Sequence, residues 1–128
     1  MGLRTLQQDH RARDERGLAV VDDERLLLAA LEAGCAVELL LEDAGRIDDP
    51  APWRPLLGDA RPVPAVRDVL RKLGQTGRMP RSVAAVRLHA VPDEPAPAGG
   101  LALTGVSVAG NVGGILRTAA AFRLPAVS

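Results

Sequence analysis

With 128 residues the chain is long enough for one ordinary domain with its own core and too short for two complete ones. Apolar residues make up 47% of it but aromatics only 2%, so the core must be built from Leu, Val and Ala, an α/β composition rather than that of a β-sandwich. A formal net charge of zero speaks against a nucleic-acid partner only on average, because the charges are unevenly placed. Nine acids stand against Arg25 and Arg46 between Asp22 and Asp49, whereas eight bases stand against Asp59 and Asp68 between Arg54 and Arg87. Such asymmetry can give a neutral protein a basic face, the electrostatic footprint of a phosphate backbone, or it can be ordinary solvated helix surface.

Residues 3–16 read as a short polar helix carrying Arg11, Arg13 and Arg16, with Gly17 placed to end it. Leu18 to Val21 is a brief apolar run, after which Asp22 or Asp23 caps the helix DERLLLAALEAG, stopped by Gly34. Ala36 to Leu41 is a second apolar strand. AGRIDDPAP then holds turn chemistry, and PWRPLLGDA suits one or two helical turns around Trp53, whose role is core packing or, less favoured, stacking on a base.

Arg61 to Pro64 is expected as a short edge strand, since prolines at 62 and 64 exclude a central place. Pro64 is also expected to open the helix PAVRDVLRKLG, with Val66, Val69, Leu70 and Leu73 on its apolar face and Arg67, Arg71 and Lys72 on its polar one. Gly74 ends it. A loop with Gln75, Thr76, Arg78 and Arg81 leads to the strand Ser82 to Leu88, and AVPDEPAPAGG then reads as a linker of extended character. The strand-helix alternation before the linker indicates a small three-layer α/β domain.

Beyond the linker, Leu101 to Val108 suits a buried strand of a parallel sheet. Gly110 is expected to turn the chain and Asn111 to cap a helix whose apolar face holds Ile115, Ala119 and Phe122, with Arg117 off that face. The glycines at 110, 113 and 114 match neither the dinucleotide-binding nor the P-loop pattern. His10 and His89 are isolated, and Cys35 is expected to be buried. One Cys and two distant His supply neither a disulfide nor metal-ligand spacing, so no metal is expected. With no signal-peptide core and no apolar run of bilayer length, the expectation is a soluble, cytoplasmic protein without a membrane partner.

The segment from Leu101 to Phe122, with its strand, Asn, small residues and Ile-Leu-Arg-Thr-Ala helix start, resembles the first motif of SpoU-type (TrmH-like) RNA 2′-O-ribose methyltransferases. It departs at Val108-Ala109, where the family usually has Asp-Pro, and at Arg123, where it usually has Gly. Upstream, VVDDERLLLAALEAG and VLRKLGQTGRMPRSVAAVRL resemble the family's substrate-binding domain. The resemblance implies an RNA-binding α/β domain over 1–90, a linker over 91–100, and over 101–128 the first strand and helix of a knotted (SPOUT-type) α/β domain that binds S-adenosylmethionine.

It further implies catalytic roles for Asn111 and Arg117, ribosomal or transfer RNA as substrate and a possible homodimer of the full-length form. The RNA footprint is expected on Arg67, Arg71, Lys72, Gln75, Thr76, Arg78 and Arg81, or failing that on Arg4, Arg11 and Arg13. The family's cofactor motifs come later than the residues present, so the chain by itself is expected to be inactive and to hold no cofactor-binding residue. An RNA-binding module without catalysis and a small α/β interaction domain are the alternatives.

Overall fold

Asp23 starts the first helix by using one carboxylate oxygen, Oδ1, to accept from the backbone N–H groups of Arg25 and Leu26 at 2.8 and 3.1 Å. This cap separates strand β1 (Leu18–Val21) from helix α1 (Glu24–Glu32), and Gly34, at φ +83°, turns the chain out of the helix. Asp22 does a different job: its carboxylate accepts from the backbone N–H of Gln75. The structure is a computed structural model that describes residues 16–75, 77–90 and 99–124, and the backbone alone of 126–127. The helix expected over 3–16, except for Arg16, lies outside the described residues, as do residues 91–98 of the expected linker.

Backbone contacts divide the chain into two compact units, Met1–Ala90 and Val91–Ser128. In the first, β1 and α1 are followed by β2 (Ala36–Asp43), two 3₁₀ turns (Ala44–Arg46 and Arg54–Leu56), β3 (Val63–Ala65), α2 (Arg67–Leu73) and β4 (Ser82–Arg87). The strands form one mixed sheet in the order β1-β4-β2-β3, with β4 antiparallel to β1 and β2, and β3 parallel to β2. The last strand in sequence therefore runs through the middle. Its residues Ser82 to Val86 are all buried, which is the burial expected of a strand covered on both faces.

The coverage follows from side-chain alternation. Val83 and Ala85 pack with Leu18, Leu70 and Leu73, on the α2 side. Ala84 and Val86 pack with Leu27, Leu31, Leu40, Trp53 and Leu57, on the α1 side. Two helices on opposite faces of one sheet make three layers. A register shift between Val37 and Leu39 lets Val37 and Leu40 share the α1 side although three positions separate them, because one extra residue inverts the alternation. Burying Leu27, at 1% exposure, contributes about 2 kcal/mol.

Three sequence expectations change here. Pro64 lies inside β3, opposite Glu42, and α2 begins only at Arg67; the edge position of β3 tolerates a residue that cannot donate to the ladder. Val66 and Val69 are exposed, so α2 buries only Leu70 and Leu73 of its expected apolar face. Cys35 is half-buried rather than enclosed.

The second unit holds β5 (Leu101–Ala102), α3 (Ala109–Ala121) and β6 (Ala126–Val127), with β6 parallel to β5. The strand expected over 101–108 is thus two residues long. The helix starts earlier than expected, with Val108 at the cap position and no side-chain cap bond. Gly110 and Asn111 are consequently inside the first turn, where the Asn111 N–H donates to the Val108 carbonyl at 2.9 Å. Of the expected apolar face, Ala119 is buried and Ile115 half-buried, whereas Phe122 is 74% exposed. No described helix is long and apolar enough to cross a membrane.

Candidate functional site

The charged core of the first unit is built around Glu42, the residue before the end of β2, whose side chain has no exposure. Arg81 approaches it from the residue preceding β4, with Nε and Nη2 donating to Oε1 at 3.1 and 2.9 Å. Arg54, from the second 3₁₀ turn, donates through Nη2 to both carboxylate oxygens at 2.9 and 3.1 Å. The Trp53 ring has both guanidiniums near it, at 5.1 Å for Arg54 and 5.6 Å for Arg81, within cation–π range. Trp53 is fully buried, so it is a core residue and not a base-stacking platform.

Arg81 also gathers the loop after β2. Its Nη2 donates to the carbonyls of Arg46 and Asp49 at 3.3 and 2.8 Å, and its Nη1 to that of Pro50 at 3.1 Å. This overturns its assignment to an exposed RNA footprint. With a side chain 5% exposed and its donors directed at protein oxygens, Arg81 holds the fold and is not a free cation for phosphate.

Next to this network lies an open cleft of about 260 Å³. Its walls come from three separated segments: Asp22 to Arg25 at the start of α1, Arg46 in the first 3₁₀ turn, and Arg78 to Arg81 before β4. Arg25 and Arg78 are exposed, and Arg78 has no ion-pair partner among the described residues. Arg46 pairs with Asp49 through Nε at 3.1 Å, with nearly half of its side chain exposed. Arg25 and Arg46 escaped the sequence reading because they sit in the acid-rich half of the domain. No local pattern signals that they meet Arg78.

The remaining expected RNA-binding residues are less concentrated. Arg67 lies 3.6 Å from Asp43 and Arg71 lies 3.3 Å from Asp68, each on the exposed side of α2, where Lys72 is exposed as well. Gln75 is exposed beyond the helix end, and Thr76 lies outside the described residues.

In the second unit Asn111 and Arg117 are both exposed on α3. Being six residues apart on one helix, they stand about 9 Å apart along its axis and about 120° apart around it. A pocket of about 250 Å³ opens along α3, on the helix face that Ile115 and Thr118 share with Asn111 by the helical period, and is lined by apolar atoms of Leu101, Ile115, Ala119, Phe122 and Leu124. Its one hydroxyl, on Thr118, donates to the Gly114 carbonyl at 2.9 Å. A sulfonium donor with an adenosine and an amino-acid moiety needs several polar partners. Among the described residues, that pocket offers only the Thr118 side chain, so its lining does not fit the cofactor. Nor do they hold a cluster of His, Cys, Asp or Glu suited to a metal ion.

A mixed four-stranded sheet between two helices, followed by a separate unit whose helix exposes Asn and Arg, makes a mixed α/β fold that resembles structures of SpoU-type, TrmH-like RNA methyltransferases. Specifically, the chain is similar to the SpoU methyltransferase AviRb from Streptomyces viridochromogenes in complex with AdoMet, at 28% identity and a TM-score of 0.73, over 93% of this chain and 47% of that one. A TrmH-family protein from Porphyromonas gingivalis is similar at 25% identity and a TM-score of 0.68, over 94% and 46% of the two chains. An RNA 2′-O-ribose methyltransferase shares the fold at 21% identity and a TM-score of 0.66, over 93% and 48%. The chain therefore spans about half the length of these proteins. No protein-family model and no curated protein matches it.

Proposed function

We propose that residues 1–90 bind structured ribosomal or transfer RNA and that residues 101–128 open a SpoU-type methyltransferase domain, the two joined by the linker 91–100. The activity of the whole protein is then S-adenosylmethionine-dependent 2′-O-ribose methylation in the cytoplasm, carried out by a full-length form that can dimerise. The observation that supports this is the likeness to AviRb, which runs across both units at 28% identity. Arg117 is the residue for holding phosphate or ribose and for stabilising charge at the 2′-oxygen, and Asn111 positions the substrate beside it. Because the described lining of the α3 pocket does not fit the methyl donor, the chain by itself is expected to transfer no methyl groups. That same misfit favours a second reading, an RNA-binding module without catalysis.

Salt-dependent binding of structured RNA tests the RNA role, since phosphate contacts release counterions and weaken as salt rises. Absence of binding, or binding indifferent to salt, overturns both readings. Calorimetry with S-adenosylmethionine separates chain from enzyme: the isolated chain is expected to show no stoichiometric binding. Methylation of RNA by a longer form that carries the chain, lost on Arg117→Ala, decides for the enzyme.

A further inference from the structure

The cleft between the start of α1 and the loop before β4 is more than part of a basic surface, because its lining carries both signs of charge in a fixed arrangement. Its lining brings together the exposed cations Arg25, Arg46 and Arg78 and the carboxylates of Asp23 and Glu24. Asp23 uses only Oδ1 for its cap bonds. Glu24 uses only Oε1, which lies 3.4 Å from both Trp53 Nε1 and Arg81 Nη1. The second oxygen of each carboxylate therefore keeps its acceptor capacity.

Inorganic phosphate alone suits this lining poorly, because acids face it; a duplex backbone suits it poorly because the space is small. A single nucleotide out of its stack matches both signs of charge, presenting an anionic phosphate to the guanidiniums and N–H or O–H donors of base or sugar to the carboxylates. Position is not left to loop motion: the backbone that carries Arg46 is held by Arg81, which donates to the carbonyls of Arg46, Asp49 and Pro50 and is itself fixed on Glu42.

Resting on the RNA-binding reading above, we infer that this cleft grips one unpaired nucleotide of the RNA, its phosphate on Arg46 and Arg78 and its donor edge on Asp23 and Glu24. The salt-dependent part of binding then resides mainly here rather than on Arg67, Arg71 and Lys72 of α2. The fluorescence anisotropy of two labelled RNA hairpins, one with an unpaired internal loop and one fully paired, tests this with the whole chain over a range of salt. Wild type is expected to favour the looped hairpin. Arg46→Gln/Arg78→Gln should weaken binding to that hairpin at low salt by about tenfold or more, lower the log–log salt slope by about 1.5, and remove the preference for the loop. Both residues are exposed, so the circular dichroism spectrum should not change. Arg67→Gln/Arg71→Gln/Lys72→Gln should change the slope less and leave the preference intact. If the triple variant takes the slope and the double variant does not, or if wild type binds both hairpins equally, the inference is overturned while RNA binding stands. If wild type binds neither hairpin, the RNA reading itself fails, and this inference with it.

Discussion

Arg81 and Glu42 meet in the interior of the first unit, with one guanidinium donating twice to a single carboxylate oxygen at 2.9 and 3.1 Å. Neither group is able to leave for water while the fold stands, since their side chains are 5% and 0% exposed. Taking such charges out of water is costly, and the pair is worth keeping because Arg81 also satisfies three carbonyls of the loop after β2. The loop and the sheet are thus joined by one side chain.

Glu42→Ala should destabilise the first unit by about 3 to 5 kcal/mol, because two arginines would lose their shared counter-charge while Arg81 stays buried. Urea unfolding followed by Trp53 fluorescence measures this, and a midpoint like that of wild type would show that water enters and rescues the arginines. Arg81→Lys should lie between, since an ammonium keeps the charge but lacks the fork that reaches Glu42 and the carbonyls together.

Trp53, the one tryptophan of the chain, is fully buried, and its Nε1 lies 3.4 Å from Glu24. Trp53→Phe should keep most of the packing and cost about 1 to 2 kcal/mol, whereas Trp53→Ala should cost about 3 to 5 kcal/mol by leaving a cavity under α1. In wild type, the emission maximum should be blue-shifted and move to the red only with global unfolding. An emission already typical of exposed tryptophan would contradict the burial.

Asp23→Ala removes the acceptor for two N–H groups of α1 and should cost about 1 kcal/mol, while Asp23→Asn should cost only a fraction of that because Asn caps as well. Equal losses for the two substitutions would mean that charge at the helix start, not the cap bond, is what matters.

Gly113 and Gly114 lie within α3, and a Cβ built on either meets nothing within 4 Å. Glycine there forfeits about 0.5 to 1 kcal/mol of helix stability per site relative to alanine. Gly113→Ala should therefore raise the helix content and thermal stability of the second unit. If a longer, active form loses RNA methylation with the same substitution, the glycine serves close approach of substrate, which explains its presence. A gain in stability with activity unchanged would leave that approach without support.

Arg117→Ala should leave folding untouched, since the side chain is exposed on α3, and should abolish methyl transfer in a longer form that carries the chain. Arg117→Lys should restore little, because a point charge does not reproduce the planar, two-pronged contact to phosphate or ribose. Full activity in Arg117→Ala would remove this residue from the proposed site.

What could be read from the residues in order was whatever depends on near neighbours. The Asp23 start and Gly34 stop of α1, the apolar runs that become β1, β2 and β4, and the edge character imposed by Pro64 all follow from caps, periodicity and proline chemistry acting over a few positions. Local reasoning also went astray within a few positions. Asn111 is a good cap by type, yet the cap position of α3 is Val108, three residues earlier; a strand-like run over 101–108 pairs only at Leu101–Ala102. Tertiary structure alone decided which charges are buried and which meet. Arg78 and Arg81 lie three positions apart in one loop, but β4 runs through the middle of the sheet and carries Arg81 onto Glu42, while Arg78 stays at the surface beside Arg46 and Arg25. Strand pairing acts over tens of residues and is selected by the burial of both faces of β4. No short-range pattern encodes it, and the cleft it creates becomes visible only when the sheet has formed.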